Sequence, residues 1–280
     1  MPKEFRGENV RYVLAAGFVA HEYLGKILLG PGGPQFLDYR TLADGSAWYG
    51  HSARLILVGS TIFVLRSSSG FSELCRRLKG RDFRSTFFEL LAARLFLRGG
   101  FDIKARPEGG ALGKDFDFSA VKGGTTINVE VTGLKPLKFS PGTLKNALKQ
   151  KRKQLPTDAP GVICCVHPED WFKSEADLSV ELRRAAMRLF STSQRVNAVV
   201  FLSEIHLDPA GHGREGGILA TKEVYINPVP RLPAPIDFLL REPLASVYRR
   251  QGRKWSGSSQ ALKAAARDTE FHRWVDQLLS

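Results

Sequence analysis

The residues best suited to chemistry in this chain lie within residues 84–166, where three carboxylates and one lysine stand out. Glu89 interrupts an almost wholly apolar stretch, while Asp117 and Glu130 lie in stretches rich in strand-forming residues. Lys151 follows on the apolar side of a basic stretch. Each acidic residue lies where burial is costly, and a buried charge persists only when it is paired or coordinates a metal. These residue types together are the inventory of a metal site.

The helix predicted to carry Glu89 begins at about Arg84 and ends at the Gly99-Gly100 pair. Its phenylalanine, leucine and alanine residues surround it on all sides, which predicts a central, buried helix. At 100° per residue, three arginines share one narrow face and Glu89 falls on the opposite side. These arginines are Arg84, Arg94 and Arg98. Glu89 is therefore either a site residue or the partner of a distant arginine.

Three strands are predicted after this helix, over Phe101–Arg106, Asp115–Val121 and Thr125–Val131, with Gly123-Gly124 as the tight turn between the last two. Alternation along a strand places Glu130 opposite its apolar neighbours. In the second strand it places Phe116 and Phe118 on one face and Asp115 and Asp117 on the other. The acidic face is either solvated or covered by the helix that follows.

That helix is predicted over Thr143–Leu155, and Lys151 falls within its apolar arc. The side chain either snorkels from the edge of the core or enters an active site. Other basic residues spread over the exposed arc, as on a solvated face or a face that contacts phosphates. The residues predicted here to bind nucleic acid are Lys149, Arg152 and Lys153.

The remaining pattern alternates strands and helices, which predicts an α/β fold. Gly161–Val166 is predicted as a buried strand, followed by a helix over Ala176–Phe190 and strands over Val196–Leu202 and Val224–Asn227. Before the core we predict a helix over Asn9–Leu29, strands around Leu55–Leu65, a short helix from an N-cap at Ser72 through Leu78, and a connection over Lys79–Phe83.

The order of helix with Glu89, strand, strand with Asp117, strand with Glu130, helix and strand resembles the PD-(D/E)xK superfamily of restriction-endonuclease-like nucleases. The resemblance rests on Phe87–Ala93, Phe116–Phe118 and Ile127–Thr132, and it covers about a third of the chain. It implies an N-terminal mixed region over residues 1–80, a nuclease core over 81–228, and a basic linker with a C-terminal helix over 229–280.

The resemblance implies that Asp117, Glu130 and Glu89 bind Mg²⁺, with Mn²⁺ as the alternative ion, and that the chain hydrolyses phosphodiester bonds in DNA, or else in RNA. Asp115 is a substitute for Asp117. Family members usually carry a lysine two residues after the second acid, where this chain has Thr132. Some members supply it from the following helix, and Lys151 would take that catalytic role. The alternative is an inactive nuclease-fold module that binds nucleic acid or a protein.

Composition favours a nucleic-acid partner. Against 28 Asp and Glu there are 41 Lys and Arg, and the resulting charge of +13 suits phosphate backbones or anionic surfaces. Beyond Pro228, basic residues surround Trp255 before a helix predicted from about Ser258 to Leu279; they either bind nucleic acid or form a solvated tail. These basic residues are Arg249, Arg250, Arg253 and Lys254. A homodimer is compatible with the sequence.

Three cysteines in 280 residues argue against a disulfide scaffold and fit a reducing cytoplasm. The charged residues near the N-terminus argue against a signal peptide and against a membrane span. A weaker interpretation is a zinc site in a Gly/Pro-rich loop, with a surface loop as the alternative. Its ligands would be His206, Asp208 and His212.

Overall fold

The computed structural model describes residues 57–58, 61–62, 64–106, 116–175, 177–207, 215–242, 246–250 and 254–256. The fold is α/β, and the described strands form one mixed sheet in the order β1-β2-β3-β4-β5-β6-β7-β8. The strands are β1 Asp102–Ala105, β2 Phe118–Lys122, β3 Thr125–Gly133, β4 Gly161–Val166, β5 Val196–Leu207, β6 Glu215–Ile226, β7 Ser246–Arg250 and β8 Lys254–Ser256. The helices are α1 Phe71–Gly80, α2 Phe83–Arg98, α3 Pro141–Gln154, α4 Asp170–Ser174, α5 Leu178–Thr192 and α6 Phe238–Arg241.

Both faces of the sheet are covered. Strands β3, β4 and β5 run parallel, and the other neighbouring pairs are antiparallel. Helices α1 and α2 pack on one face, and α3 and α5 pack on the other. Strand β4 is buried throughout, as expected of a parallel strand between two layers of helices. The predicted α/β class is thus confirmed, and the acidic face of β3 is enclosed rather than solvated.

Helix α2 is the buried helix that the sequence predicts. Asp82 caps its first turn, because its carboxylate accepts a hydrogen bond from the Ser85 N–H at 2.9 Å. Gly99 caps its C-terminus, and Gly100 has a φ of 84°, the left-handed conformation that favours glycine. Arg94, predicted on a narrow arginine face, is buried and donates from Nη1 to Thr61 Oγ1 at 3.1 Å.

Two predictions before α2 are wrong. Residues 57, 58, 61, 62, 64 and 65 are helical where strands were predicted, and Thr61 Oγ1 donates to the Leu57 carbonyl one turn earlier at 2.8 Å. A short apolar run has no periodicity that separates a strand from a buried helix. Ser72 is not an N-cap, because α1 begins at Phe71 and Gly70 occupies the cap position. The helix also extends to Gly80, into the predicted connection.

The predicted alternation is confirmed in β3 and wrong at the start of β2. In β3, Ile127 and Val129 enter the core beneath α2, whereas Glu130 faces α3. Phe116 and Phe118 lie in different cores on opposite sides of the sheet. The reason is that β2 begins only at Phe118 and the chain bends at Asp117, which interrupts the two-residue repeat.

The remaining elements follow the predicted order with shifted bounds. The Gly123-Gly124 turn is confirmed, with φ values of 54° and 80°. Strands β5 and β6 are longer than predicted because they form one extended antiparallel pair. The basic segment after Pro228 contains β7 and β8, which continue the sheet where a linker was predicted. The predicted helices over Asn9–Leu29 and from Ser258 to Leu279 lie outside the described residues.

No helix in the described part of the chain has both the length and the apolar character needed to cross a membrane.

Candidate active site

The candidate site lies where β3 extends past the start of β2. Asp117 sits at the bend before β2, and its Oδ2 accepts a hydrogen bond from the Val131 N–H of β3 at 2.7 Å. The side chain therefore takes the place that a backbone carbonyl of β2 would occupy if the strand pairing continued. This bond holds one carboxylate oxygen of Asp117 against the exposed end of the β2–β3 ladder.

Glu130 and Lys151 meet on the α3 side of the sheet. The Lys151 ammonium lies 2.5 Å from Glu130 Oε1, and the Glu130 side chain is only 2% exposed. Lys151 thus directs its ammonium to Glu130 from the edge of the core, and a quarter of its side chain remains exposed. Glu130 Oε2 is buried and has no hydrogen-bond partner among the described residues. A buried carboxylate oxygen without a donor is costly, which marks a position suited to a cation.

Glu89 approaches from the α2 side and is neutralised by two arginines. Its Oε2 lies 2.9 Å from Arg77 Nη1, and its Oε1 lies 3.2 Å from Arg81 Nη1. The alternative of pairing with a distant arginine is therefore confirmed. Arg77 Nη1 is also 3.8 Å from Asp117 Oδ1, and Arg77 Nη2 donates to the Arg106 carbonyl. Arg77 thus connects Glu89 with Asp117.

Sequence reasoning missed Arg77, which α1 places in the buried layer. Its side chain is 2% exposed, and its neighbours Leu74 and Leu78 lie in the core. Residues three or four positions apart share a helix face. Arg77 follows Leu74 by three positions and directly precedes Leu78, so its side chain falls near the apolar face of α1. That spacing was the available signal.

The electrostatics of the site favour protonated carboxyls. Burial, and then the charge of Glu89, raise the pKa of Asp117 to about 7. Burial, and then the charge of Asp117, raise the pKa of Glu130 to about 8, outweighing the Lys151 ammonium, which lowers it. Burial together with both carboxylates also raises the pKa of the Cys164 thiol, so this cysteine stays protonated at the base of the site.

The predicted buried strand over Gly161–Val166 is confirmed, and within it Cys164 and Cys165 are buried free thiols.

Among the described residues, no three histidine, cysteine, aspartate or glutamate side chains gather as ligands of one ion. Because arginines engage Glu89, Asp117 and Glu130 are the two carboxylates left to hold a metal. The Val131 carbonyl is a third oxygen, since a strand residue directs its N–H and C=O to the same side and the Val131 N–H faces Asp117. The two carboxylates, one of which has the unpartnered Glu130 Oε2, and the Val131 carbonyl are oxygen donors of the kind that hard cations prefer.

The predicted nucleic-acid contacts and the predicted zinc site are only partly described. Lys149 and Lys153 are exposed on α3, and Arg152 is half-buried. Arg249 and Arg250 lie in β7 and Lys254 lies in β8, while Arg253 lies outside the described residues. His206 is a residue of β5 rather than of a loop. Asp115, Asp208 and His212 lie outside the described residues.

Comparison with known proteins found no matching family model, no matching curated protein and no matching solved structure.

Proposed function

We propose that this protein is a metal-dependent nuclease of the restriction-endonuclease-like type that hydrolyses phosphodiester bonds in DNA, with RNA as the second candidate substrate. The observation that carries the proposal is the pair of half-buried Asp117 and buried Glu130, with an unpartnered Glu130 oxygen and the Lys151 ammonium beside it. A protein keeps two repelling carboxylates buried only where something offsets their cost, and a catalytic metal does so.

The order of elements supports the same proposal. Helix α2 precedes three antiparallel strands, β1, β2 and β3, and helix α3 then returns the chain to the parallel strand β4. This is the order on which the resemblance to restriction-endonuclease-like nucleases rests. The acidic residues fall at the matching places: Glu89 in the helix, Asp117 at the second strand and Glu130 in the third.

In this proposal, Asp117, Glu130 and the Val131 carbonyl hold Mg²⁺. An ion held by these residues would lower the pKa of a water ligand and would offset the negative charge that develops on the phosphate. Lys151 leaves Glu130 to contact the scissile phosphate and to orient the attacking water. Arg77 keeps Glu89 neutralised and steadies Asp117, so that the acidic residues share one pocket. Binding requires ionised carboxylates, so we expect Mg²⁺ affinity to rise as the pH passes through about 7 to 8, where both carboxyls lose their protons.

The alternative is an inactive module that retains the fold for binding. Thr132 favours it, because a threonine stands where the family usually carries a lysine. Lys151 answers this objection, since its ammonium already reaches Glu130 from the next helix.

The first test is cleavage of labelled DNA and RNA by the full chain with Mg²⁺ or Mn²⁺, with EDTA as the blank. We expect cleavage by the wild type and its loss in Asp117→Asn, which keeps the shape of the side chain but not its charge. The matched control is Asp102→Asn, at the start of β1 and outside the candidate site. The Asp102 carboxylate accepts a hydrogen bond from Ser69 Oγ at 2.7 Å. Absence of wild-type cleavage with either ion on either substrate would reject the nuclease and leave the binding module.

A rescue experiment tests the role of Lys151. Thr132 follows Glu130 by two residues on the same strand, so a lysine there projects toward the same face. We expect Lys151→Ala to abolish cleavage and the added change Thr132→Lys to restore part of it. Full cleavage by Lys151→Ala alone would contradict the assigned role.

A further inference from the structure

A basic groove separates α3 from α5, on a side of α3 adjacent to the one that carries Lys151. It encloses about 430 Å³, and its floor is formed by buried leucines, among them Leu144, Leu148 and Leu189. Five cationic side chains line the groove against a single acid, Glu181, which is already bound to Arg184. These cations are Lys145, Lys149, Arg152, Arg184 and Arg188.

The positive surface continues beyond the end of α5. A second cavity of about 440 Å³ shares Ser191 and Thr192 with the groove and adds Arg195 and Arg231, with no acid in its lining. The floor here is polar rather than apolar, because hydroxyl and amide side chains replace the leucines. The cations therefore continue where the apolar floor ends.

At Arg152, where the groove meets the second cavity, one guanidinium donor lacks an acceptor. Arg152 Nη1 donates to the Thr192 carbonyl at 3.1 Å, but its Nε is buried and has no partner in the described part of the chain. Arg195 is close enough for the Arg152 charge to add to burial in lowering the pKa of Arg195. The two neighbouring guanidinium groups, Arg152 in the lining of the groove and Arg195 in the lining of the adjoining cavity, are suited to binding an anion.

We propose that the α3–α5 groove and the adjoining cavity bind the sugar–phosphate backbone of the nucleic acid that reaches the candidate active site. The identity of this ligand rests on the proposed function. An acidic amphipathic helix of a protein partner would need an apolar floor along its whole length, whereas the floor turns polar beyond Ser191. A phosphate backbone needs only a continuous series of cations and donors, with sugars resting on the leucines.

The position of the groove suits this ligand. Lys151 and Arg152 are consecutive residues of α3, and a turn of about 100° between them directs one toward Glu130 and the other into the groove. The groove therefore begins one residue along α3 from the lysine of the candidate active site.

The test measures duplex DNA binding by the full chain in EDTA, where no cleavage occurs, as fluorescence anisotropy between about 50 and 200 mM salt. The groove variant is Lys149→Gln/Arg188→Gln, with one exposed change on each helix. Each lost phosphate contact lowers the slope of log affinity against log salt by about 0.9, so we expect a loss of about 1.8. The charge-matched control is Lys104→Gln/Arg183→Gln, two exposed positions outside both cavities, and it should leave the slope nearly unchanged.

The outcomes separate this proposal from the nuclease proposal. An unchanged slope in the groove variant, or an equal fall in the control, overturns the groove as a nucleic-acid surface and leaves it to an acidic protein, even if the wild type cleaves DNA with Mg²⁺. A selective fall in the groove variant supports the surface, even if no cleavage is ever seen.

Discussion

Replacing Asp117 by asparagine should stabilise the folded protein above neutral pH while abolishing metal binding. The carboxyl is half-buried and close enough to Glu89 and Glu130 to interact with both charges, and its pKa is raised to about 7 by burial and by the charge of Glu89. Asparagine keeps an oxygen that can accept the Val131 N–H but carries no charge. The substitution therefore removes a buried ion and preserves the bond that holds the bend before β2.

The magnitude follows from the pKa. A rise from 3.8 to about 7 is roughly 3 pH units, and each unit corresponds to about 1.36 kcal/mol, so ionising Asp117 in the folded state costs at most about 4 kcal/mol. Between pH 4 and 7 the native state holds more protons than the unfolded state, and the free energy of unfolding therefore falls as the pH rises. We expect Asp117→Asn to match the wild type near pH 4 and to exceed it by about 2–4 kcal/mol at pH 8.

The assay is urea unfolding of both proteins from pH 4 to 9, with and without Mg²⁺. The wild type should gain stability from Mg²⁺ at pH 8, by about 2.7 kcal/mol when the ion is at 100 times its Kd, and the variant should gain none. Asp102→Asn is the control, because its expected effect on stability is the opposite one. Burial raises the pKa of Asp102, but hydrogen bonds from Ser69 hold it below its usual value, so removing this carboxylate should lower the free energy of unfolding at pH 8. A variant no more stable than the wild type at pH 8, or an equal Mg²⁺ response in both, would refute the reasoning.

Three further predictions concern other parts of the molecule. Arg77→Met should lower the free energy of unfolding by up to about 3–5 kcal/mol because it removes the more buried of the two arginines that pair with Glu89. Adding Glu89→Leu should recover most of the loss, and denaturation curves that show no recovery would count against the pairing. Deleting residues 248–255 should weaken nucleic-acid binding and flatten its salt dependence, and unchanged affinity at every salt concentration would contradict this. Gly100→Ala should lower the free energy of unfolding by about 1–2 kcal/mol, because Gly100 has a φ of 84°. Its control, Gly133→Ala, should lower it much less, because the added Cβ meets only Ser85 Oγ at 3.9 Å. Equal melting temperatures of the two variants would show that the left-handed turn is not required.

Local patterns were sufficient for much of the core. The glycine pair after α2, the Gly123-Gly124 turn, the alternation of β3 and the inward position of Lys151 all follow from helical and strand periods that act over a few residues. The same local rules failed over Leu55–Leu65, since an uninterrupted apolar run satisfies a buried strand and a buried helix equally well.

The sequence by itself placed Glu89 and Lys151 among the apolar residues of their helices and identified the strand that carries Glu130, because helical and strand periods act locally. It did not decide whether the face with Glu130 is covered, and it did not indicate that Arg77 is buried. Only the tertiary structure decided what each of them meets. Packing of α1 against α2 brings Arg77 to Glu89, and the bend before β2 turns Asp117 toward β3. Such contacts depend on how helices cross the sheet and on where strand pairing ends, which are set by the packing of the whole core.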